Sequence, residues 1–266
     1  MNRLARAIGH PRRSVERAIE IVSGFLPQSE SRVASDAFSF WAGSDSTDGA
    51  RDLSHWLGEG RWSDQGAWTH IGQLHFEMFE SLCLLANRER PVRSMVEWGP
   101  GGGANAVRFC AEAAGLYGVD ISAPNLAECR RQLEIRGFDG FQPILIDTMC
   151  PEQCLQFVKS PVEFFLSTAV YQHFPSKQYG IRVTELACEL LADDGVALIQ
   201  IRYHDGSKRF APKNRDYWRN VVTFTSYGIS EFWQIAVESG FNPLAVSLDP
   251  DINYAYYFLK KRKTDA

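Results

Sequence analysis

The stretch that most constrains this chain is VEWGPGGGANAVRF, Val96 to Phe109, in which four glycines and a proline separate an apolar run from a helix-forming one. Glycine in such number weakens a strand or a helix, so the backbone must be bare there for a reason. A strand, a glycine-rich turn and a helix in succession leave backbone N–H groups open at the carboxyl end of the strand. That is where open α/β sheets bind their ligands. The remaining sequence then has to supply such a sheet.

From Pro91 onward it does. VRSMVEW reads as a short apolar strand, ANAVRFCAEA as a helix and LYGVDIS as a second strand. APNLAECRRQLEIRG follows as a helix ending at Gly137, then FQPILID and EFFLSTA as strands. YGIRVTELACELLADDG is a predicted helix with Gly195 as its stop, before the strand VALIQIRY. After the helix ISEFWQIAVESGF come two strands, NPLAVSLD and YAYYFLKK. Alternation of this kind predicts a mainly parallel sheet covered by helices on both faces. Only PDIN joins the last two strands, too short for a crossover, so that pair should be antiparallel.

The glycine turn admits two cofactor readings. As Gly99-x-Gly101-x-x-Ala104 it passes for a dinucleotide fingerprint, with Asp120 about 20 residues on for a ribose hydroxyl. As Glu97-x-Gly99-x-Gly101-x-Gly103 it resembles the first motif of class I S-adenosylmethionine-dependent methyltransferases. The order of elements favours the second, since an antiparallel strand pair closing the chain is similar to that family, whose seventh strand inserts between the fifth and sixth. The resemblance spans roughly Val92 to Lys261 and implies a Rossmann-like, seven-stranded, mostly parallel sheet with an antiparallel last strand.

The resemblance also implies roles. Glu97 matches the acid that orients the methionine amino group of S-adenosyl-L-methionine, with Gly99, Pro100, Gly101 and Asn105 around it. Asp120 matches the acid that holds both ribose hydroxyls, and Ile121 the apolar residue against adenine. Asp147 matches the acid near the adenine amino group, beside Thr148. FFLSTAVYQHFP, from Phe164 through Ser167 to Pro175, resembles the segment that lines the methyl-transfer site. LLADDGVALI stands where the family reads LKPGG, and ESGF where it reads EAGF. Pro100, Trp98 and Asp193-Asp194 depart from the usual residues.

A hydroxyl nucleophile must lose its proton, and a neutral imidazole is the natural acceptor. Of the six histidines, His173 lies at the expected transfer point and is the candidate general base. His204, at the next strand end, is a candidate substrate contact; His70 and His75 are lesser candidates, and His10 and His55 carry no functional signal. Tyr171 and Gln172 are expected to orient the acceptor. A basic, aromatic insertion after the fifth strand, HDGSKRFAPKNRDYWRNVVTFTSYG, offers Lys208, Arg209, Arg215, Tyr217 and Trp218 as a lid over the substrate.

Residues 1–90 read as a helical segment that caps a core spanning 91–266. Pro11 opens a predicted helix with Val15, Ile19 and Val22 on one face. Ser63 is the expected cap of a second, on which Ile71, Leu74, Met78, Leu82 and Leu85 recur at helical spacing. Four of the seven tryptophans fall between Trp41 and Trp68, and either fill a small core or wall a pocket. With Trp62 and Trp68 as stacking faces, a sugar or glycosylated natural product is the expected acceptor.

The bulk composition narrows the remainder. A net charge of −4 gives no electrostatic case for nucleic acid, and no run approaches the about 18 apolar residues of a membrane span. Six scattered cysteines read as reduced thiols of a cytoplasmic protein, and no metal is expected, since Asp147 is committed to adenine and Asp205 alone does not make a site. The expected partner is a small-molecule acceptor, with a homodimer compatible. An N-methyltransferase, a scaffold without catalysis and a nicotinamide oxidoreductase are the alternatives, the first needing no base and the last needing NAD.

Overall fold

The structure is a computed structural model that describes residues 27–43, 48–89 and 92–263. The helix expected from Pro11 lies outside the described residues. Seven strands form one sheet in the order β3-β2-β1-β4-β5-β7-β6. In chain order they are β1 Ser94–Trp98, β2 Gly115–Asp120, β3 Phe141–Leu145, β4 Val162–Ser167, β5 Leu191–Arg202, β6 Phe241–Asp249 and β7 Tyr254–Lys261. The first five are parallel, and β7 lies antiparallel between β5 and β6, as the short closing loop required.

Eight α-helices are described: α1 Glu30–Ala42, α2 Asp48–Leu53, α3 Gln65–Leu85, α4 Ala104–Phe109, α5 Ala123–Glu134, α6 Lys177–Leu190, α7 Tyr217–Asn220 and α8 Ile229–Glu238. One face of the sheet is covered by α6 and α8, through Val183, Leu186, Phe232 and Ile235. The other is covered by α3, α4 and α5, through Phe76, Phe79, Phe109, Leu126 and Leu133. A third, smaller cluster joins α1 to α7 and the turn after it, through Val33, Ala37, Phe40, Tyr217, Val221 and Phe224. The segments before β1 and after β5 therefore meet above the carboxyl ends of the strands.

Three local expectations are corrected. α3 is capped by Asp64, whose carboxylate accepts from the Gly66 N–H, while Ser63 ends the preceding turn of 3₁₀ helix. Its buried stripe is Trp68, Gly72, His75, Phe76, Phe79, Leu82 and Cys83, and Leu85 faces solvent. Two adjacent apolar rows compete on this helix, and the row with the aromatic rings buries more area. α6 stops at Leu190 and not at Gly195, because Leu191 is already extended and pairs with Val162. Ala192 to Gly195 then bulge from the ladder before Val196 pairs with Phe164.

Candidate active site

A cavity of about 720 Å³, mouth included, opens at the carboxyl ends of β1, β2 and β4 beneath α1 and α2. Its floor is the glycine turn, with Trp98, Gly99 and Gly101 in the wall. Gly99, Gly101 and Gly103 all have positive φ, which glycine adopts without strain.

What crowds those glycines is the chain itself. A Cβ on Gly99 would run into the Val170 side chain, and on Gly101 or Gly102 into the backbone of Ser54, His55 and Trp56. The Gly102 N–H donates to the Ser54 carbonyl at 2.6 Å. The Trp56 indole donates to Asn125 at 2.9 Å, and Asn125 donates on to Ser54 Oγ and Asp120. The bare turn is thus the seat on which the N-terminal cap docks, as well as part of the cavity wall.

Asp120 ends β2 and lines the cavity. One of its oxygens accepts from the Ser122 N–H at 2.9 Å and the other from Asn125 at 3.4 Å. Burial raises its pKa to about 6 against the pull of those donors. Glu97 lies one residue before the wall, 1% exposed. Its Oε1 accepts from Asn105 at 2.9 Å, and its Oε2 has no partner. Asn105 is held in turn by His75 Nδ1 at 2.8 Å and donates to Thr168. Burial pushes Glu97 up to about 8; the Asn105 bond opposes that and the Asp120 charge adds to it. A buried carboxylate oxygen without a donor is unusual, because its desolvation goes uncompensated.

His173 lies on a 3₁₀ turn after β4 and lines the cavity. Its Nδ1 is 2.6 Å from the Val221 carbonyl. A carbonyl only accepts, so Nδ1 carries the proton and Nε2 the lone pair. Burial lowers its pKa to about 4, with the Arg202 charge adding to it and the Val221 and Ala169 carbonyls opposing. The Trp41 ring packs on the imidazole with centroids 4.7 Å apart. The Trp41 indole donates to Tyr217 Oη at 2.8 Å, and that hydroxyl donates to the His173 carbonyl at 2.8 Å. Cap and insertion grip the histidine from both sides.

Of the residues expected at the cofactor, the cavity wall contains Gly99, Gly101, Asp120, Ile121 and Thr148. Asp147 faces away: side chains alternate along β3 and its exit, so Ile146 and Thr148 point in and Asp147 points out, where it accepts from the Met149 N–H. Ser167 is fully buried and directed at the Trp98 carbonyl, so Thr168 takes the wall position. Pro100 is buried in the turn, and its carbonyl accepts from Gly103.

The expected substrate contacts fare worse. Trp68 is fully buried, its indole donating to the His55 carbonyl at 2.6 Å, and Trp62 is buried against Asp52; both are struts of the cap. Tyr171 and Gln172 are buried behind the wall, bonded to Thr184 and Tyr254. His204 lies outside the cavity, Arg209 is exposed over Phe210, and Trp218 is half exposed against Phe40. Among the described residues the wall has instead Trp41, Leu53, Ser54, Asn125 and His55. His55 gave no signal in a segment without periodicity; only its positive φ, 57°, sets it apart. Among the described residues no three His, Cys, Asp or Glu side chains are placed to hold a metal. All six cysteines are free.

No family model matches the chain, and no curated protein matches it. Solved structures do match. A putative methyltransferase from Bacillus halodurans C-125 aligns with 63% of this chain and 70% of its own, at 15% identity and a TM-score of 0.51. An S-adenosylmethionine-dependent methyltransferase from Clostridium acetobutylicum covers 76% of this chain and 93% of its own, at 11% identity and a TM-score of 0.53. An O-methyltransferase family protein from Burkholderia thailandensis covers 86% of this chain at 12% identity and a TM-score of 0.55, and this chain spans 64% of its length. Strand order, the glycine turn after β1 and these likenesses give the chain the fold of the class I S-adenosylmethionine-dependent methyltransferases.

Proposed function

We propose that the protein is an S-adenosylmethionine-dependent methyltransferase acting on a hydroxyl of a small molecule, with His173 as general base. The observation that carries this is the pairing of Asp120 in the wall with the partnerless Glu97 Oε2 behind the glycine turn. Asp120 serves a ribose in either cofactor. A buried Glu97 oxygen without a donor suits a ligand that brings an amino group, as a nucleoside carrying an amino acid does, better than a pyrophosphate, which has no donor to offer it. That argues against the nicotinamide alternative. When bound, S-adenosylmethionine supplies a methyl group on a positive sulfonium and leaves as a neutral thioether.

The chain's own part is to hold and to orient. Glu97 would accept from the ammonium, Asp120 from the ribose, and Ile121 would pack on the base. The cap excludes water, which strengthens each of these interactions. Val221 holds the His173 Nδ1 proton, so Nε2 can take the proton that the acceptor oxygen loses as it bonds to the methyl carbon. The sugar expectation loses support, because of the four clustered tryptophans only Trp41 is in the wall.

Calorimetry tests the reading. S-adenosylmethionine and S-adenosylhomocysteine should bind and NAD should not. A gain of one methyl in a hydroxylated acceptor pool should follow incubation with enzyme and cofactor. Binding of NAD alone would overturn the assignment.

A further inference from the structure

The cavity wall separates into polar groups already spoken for and groups that are not. Ser54, Asn125 and Asp120 bond to one another, and Thr168 accepts from Asn105. What remains open is the Nε2 of His173, the hydroxyls of Thr148 and Tyr179, and the imidazole of His55, whose ring nitrogens make no hydrogen bond although the ring packs 4.4 Å from Trp62. Both imidazoles are neutral, with burial lowering His55 to about 3 and His173 to about 4. Around them the cap and the β4 exit place Ala37, Trp41, Leu53, Val170 and Phe174. Asp120 is the wall's one charged side chain among the described residues, and Lys208 and Arg209 stay exposed outside.

A site of this make-up rejects an anionic acceptor, which would lose its hydration against apolar walls and meet the Asp120 carboxylate with no cation beside it. A polyhydroxylated acceptor fares little better, since Ala37, Trp41, Leu53, Val170 and Phe174 offer its further hydroxyls no partner. A flat ring gains the aromatic face of Trp41. We propose that the acceptor is an uncharged aromatic molecule with two oxygen substituents, lodged against Trp41, one oxygen on His173 and the other on His55. This rests on the methyl-transfer reading of the cavity and adds a substrate class and a specificity residue to it. The left-handed backbone at His55 accords with the assignment, since strained residues gather where a side chain must be aimed.

The test uses the full chain with and without S-adenosylhomocysteine, and four probes: 2,3-dihydroxynaphthalene, 2-naphthol, 2-naphthoate and methyl glucoside. The dihydroxy probe should bind most tightly, and the naphthoate and glucoside at least about tenfold more weakly, since each leaves a buried polar group unpaired. His55→Ala should weaken the dihydroxy probe about tenfold and 2-naphthol by less than about twofold. His55→Asn, which tolerates the left-handed backbone, guards against misfolding and should show the same selectivity. S-adenosylhomocysteine affinity should stay unchanged in both variants. Tighter binding of glucoside or naphthoate, no binding of the dihydroxy probe, or equal loss on both naphthols would overturn the proposal. A loss of S-adenosylhomocysteine affinity in the variants would move His55 to the cofactor. Failure of wild type to bind S-adenosylhomocysteine while the naphthols bind would instead sink the cofactor reading.

Discussion

Glu97 should make the empty protein less stable as pH rises, and Glu97→Gln should remove that dependence. The carboxyl is 1% exposed, with one oxygen bonded to Asn105 and the other to nothing. Its pKa stands at about 8 in the fold against 4.5 unfolded, burial being the main cause. An acid raised on folding holds its proton longer in the native state, so the native state binds more protons between those two values. Stability therefore falls with pH across that window, by about 1.4 kcal/mol per unit. The penalty is absent below pH 4.5, grows to about pH 8 and is constant above. From pH 5.5 to 7.5 the wild type should lose about 2.7 kcal/mol relative to Glu97→Gln, which keeps the oxygen that Asn105 needs. Asp120 titrates in the same window and its charge is one cause of the Glu97 shift, so the pair is compared again in an Asp120→Asn background, where that coupling is gone. Urea unfolding at the two pH values measures the difference. A difference that does not change with pH would mean Glu97 is already ionised in the empty protein, and the account of its partnerless oxygen would fail. The same variant should lose cofactor affinity, because the ligand ammonium no longer meets a carboxylate.

Three further outcomes follow from the site. Asp120→Ala should weaken S-adenosylhomocysteine binding by about 2–3 kcal/mol in calorimetry, as hydrogen bonds to a charged acceptor are lost; unchanged affinity would remove Asp120 from the ribose. Gly101→Val places a branched side chain at φ 52°, against the Ser54 carbonyl. It should cost about 1–3 kcal/mol and free the cap, read as faster proteolysis around Ser54 together with lost cofactor binding; an intact cap would mean the close approach is not real. His173→Ala should slow turnover by about 10²–10⁴ with cofactor affinity nearly unchanged, and His173→Gln should be equally slow because it keeps size but not basicity. With His173 held at about 4, the wild-type rate should not rise with pH between 6 and 8 on its account. A glutamine variant of near-normal rate would reduce His173 to a packing role.

The sequence by itself determined the sheet. Short apolar runs separated by amphipathic helices leave parallel pairing as the way to bury both faces, and a four-residue connection can join only antiparallel strands. Glu97, the glycines and Asp120 were legible because their spacing along one strand-turn-helix unit is local. Which side chains face the cavity was less so. Asp147 and Ser167 were each one position from the residue that lines it, since alternation at a strand end flips with a single residue. The cap was the least legible part. Trp62 and Trp68 turned inward, while Trp41 and His55 reached the cavity through contacts with partners far along the chain, such as Tyr217 and the glycine turn. No periodicity encodes those contacts; they exist only once α1 and α2 sit on the sheet's carboxyl edge. Tertiary structure alone made the glycine turn a seat for the cap and gave His173 its single available nitrogen.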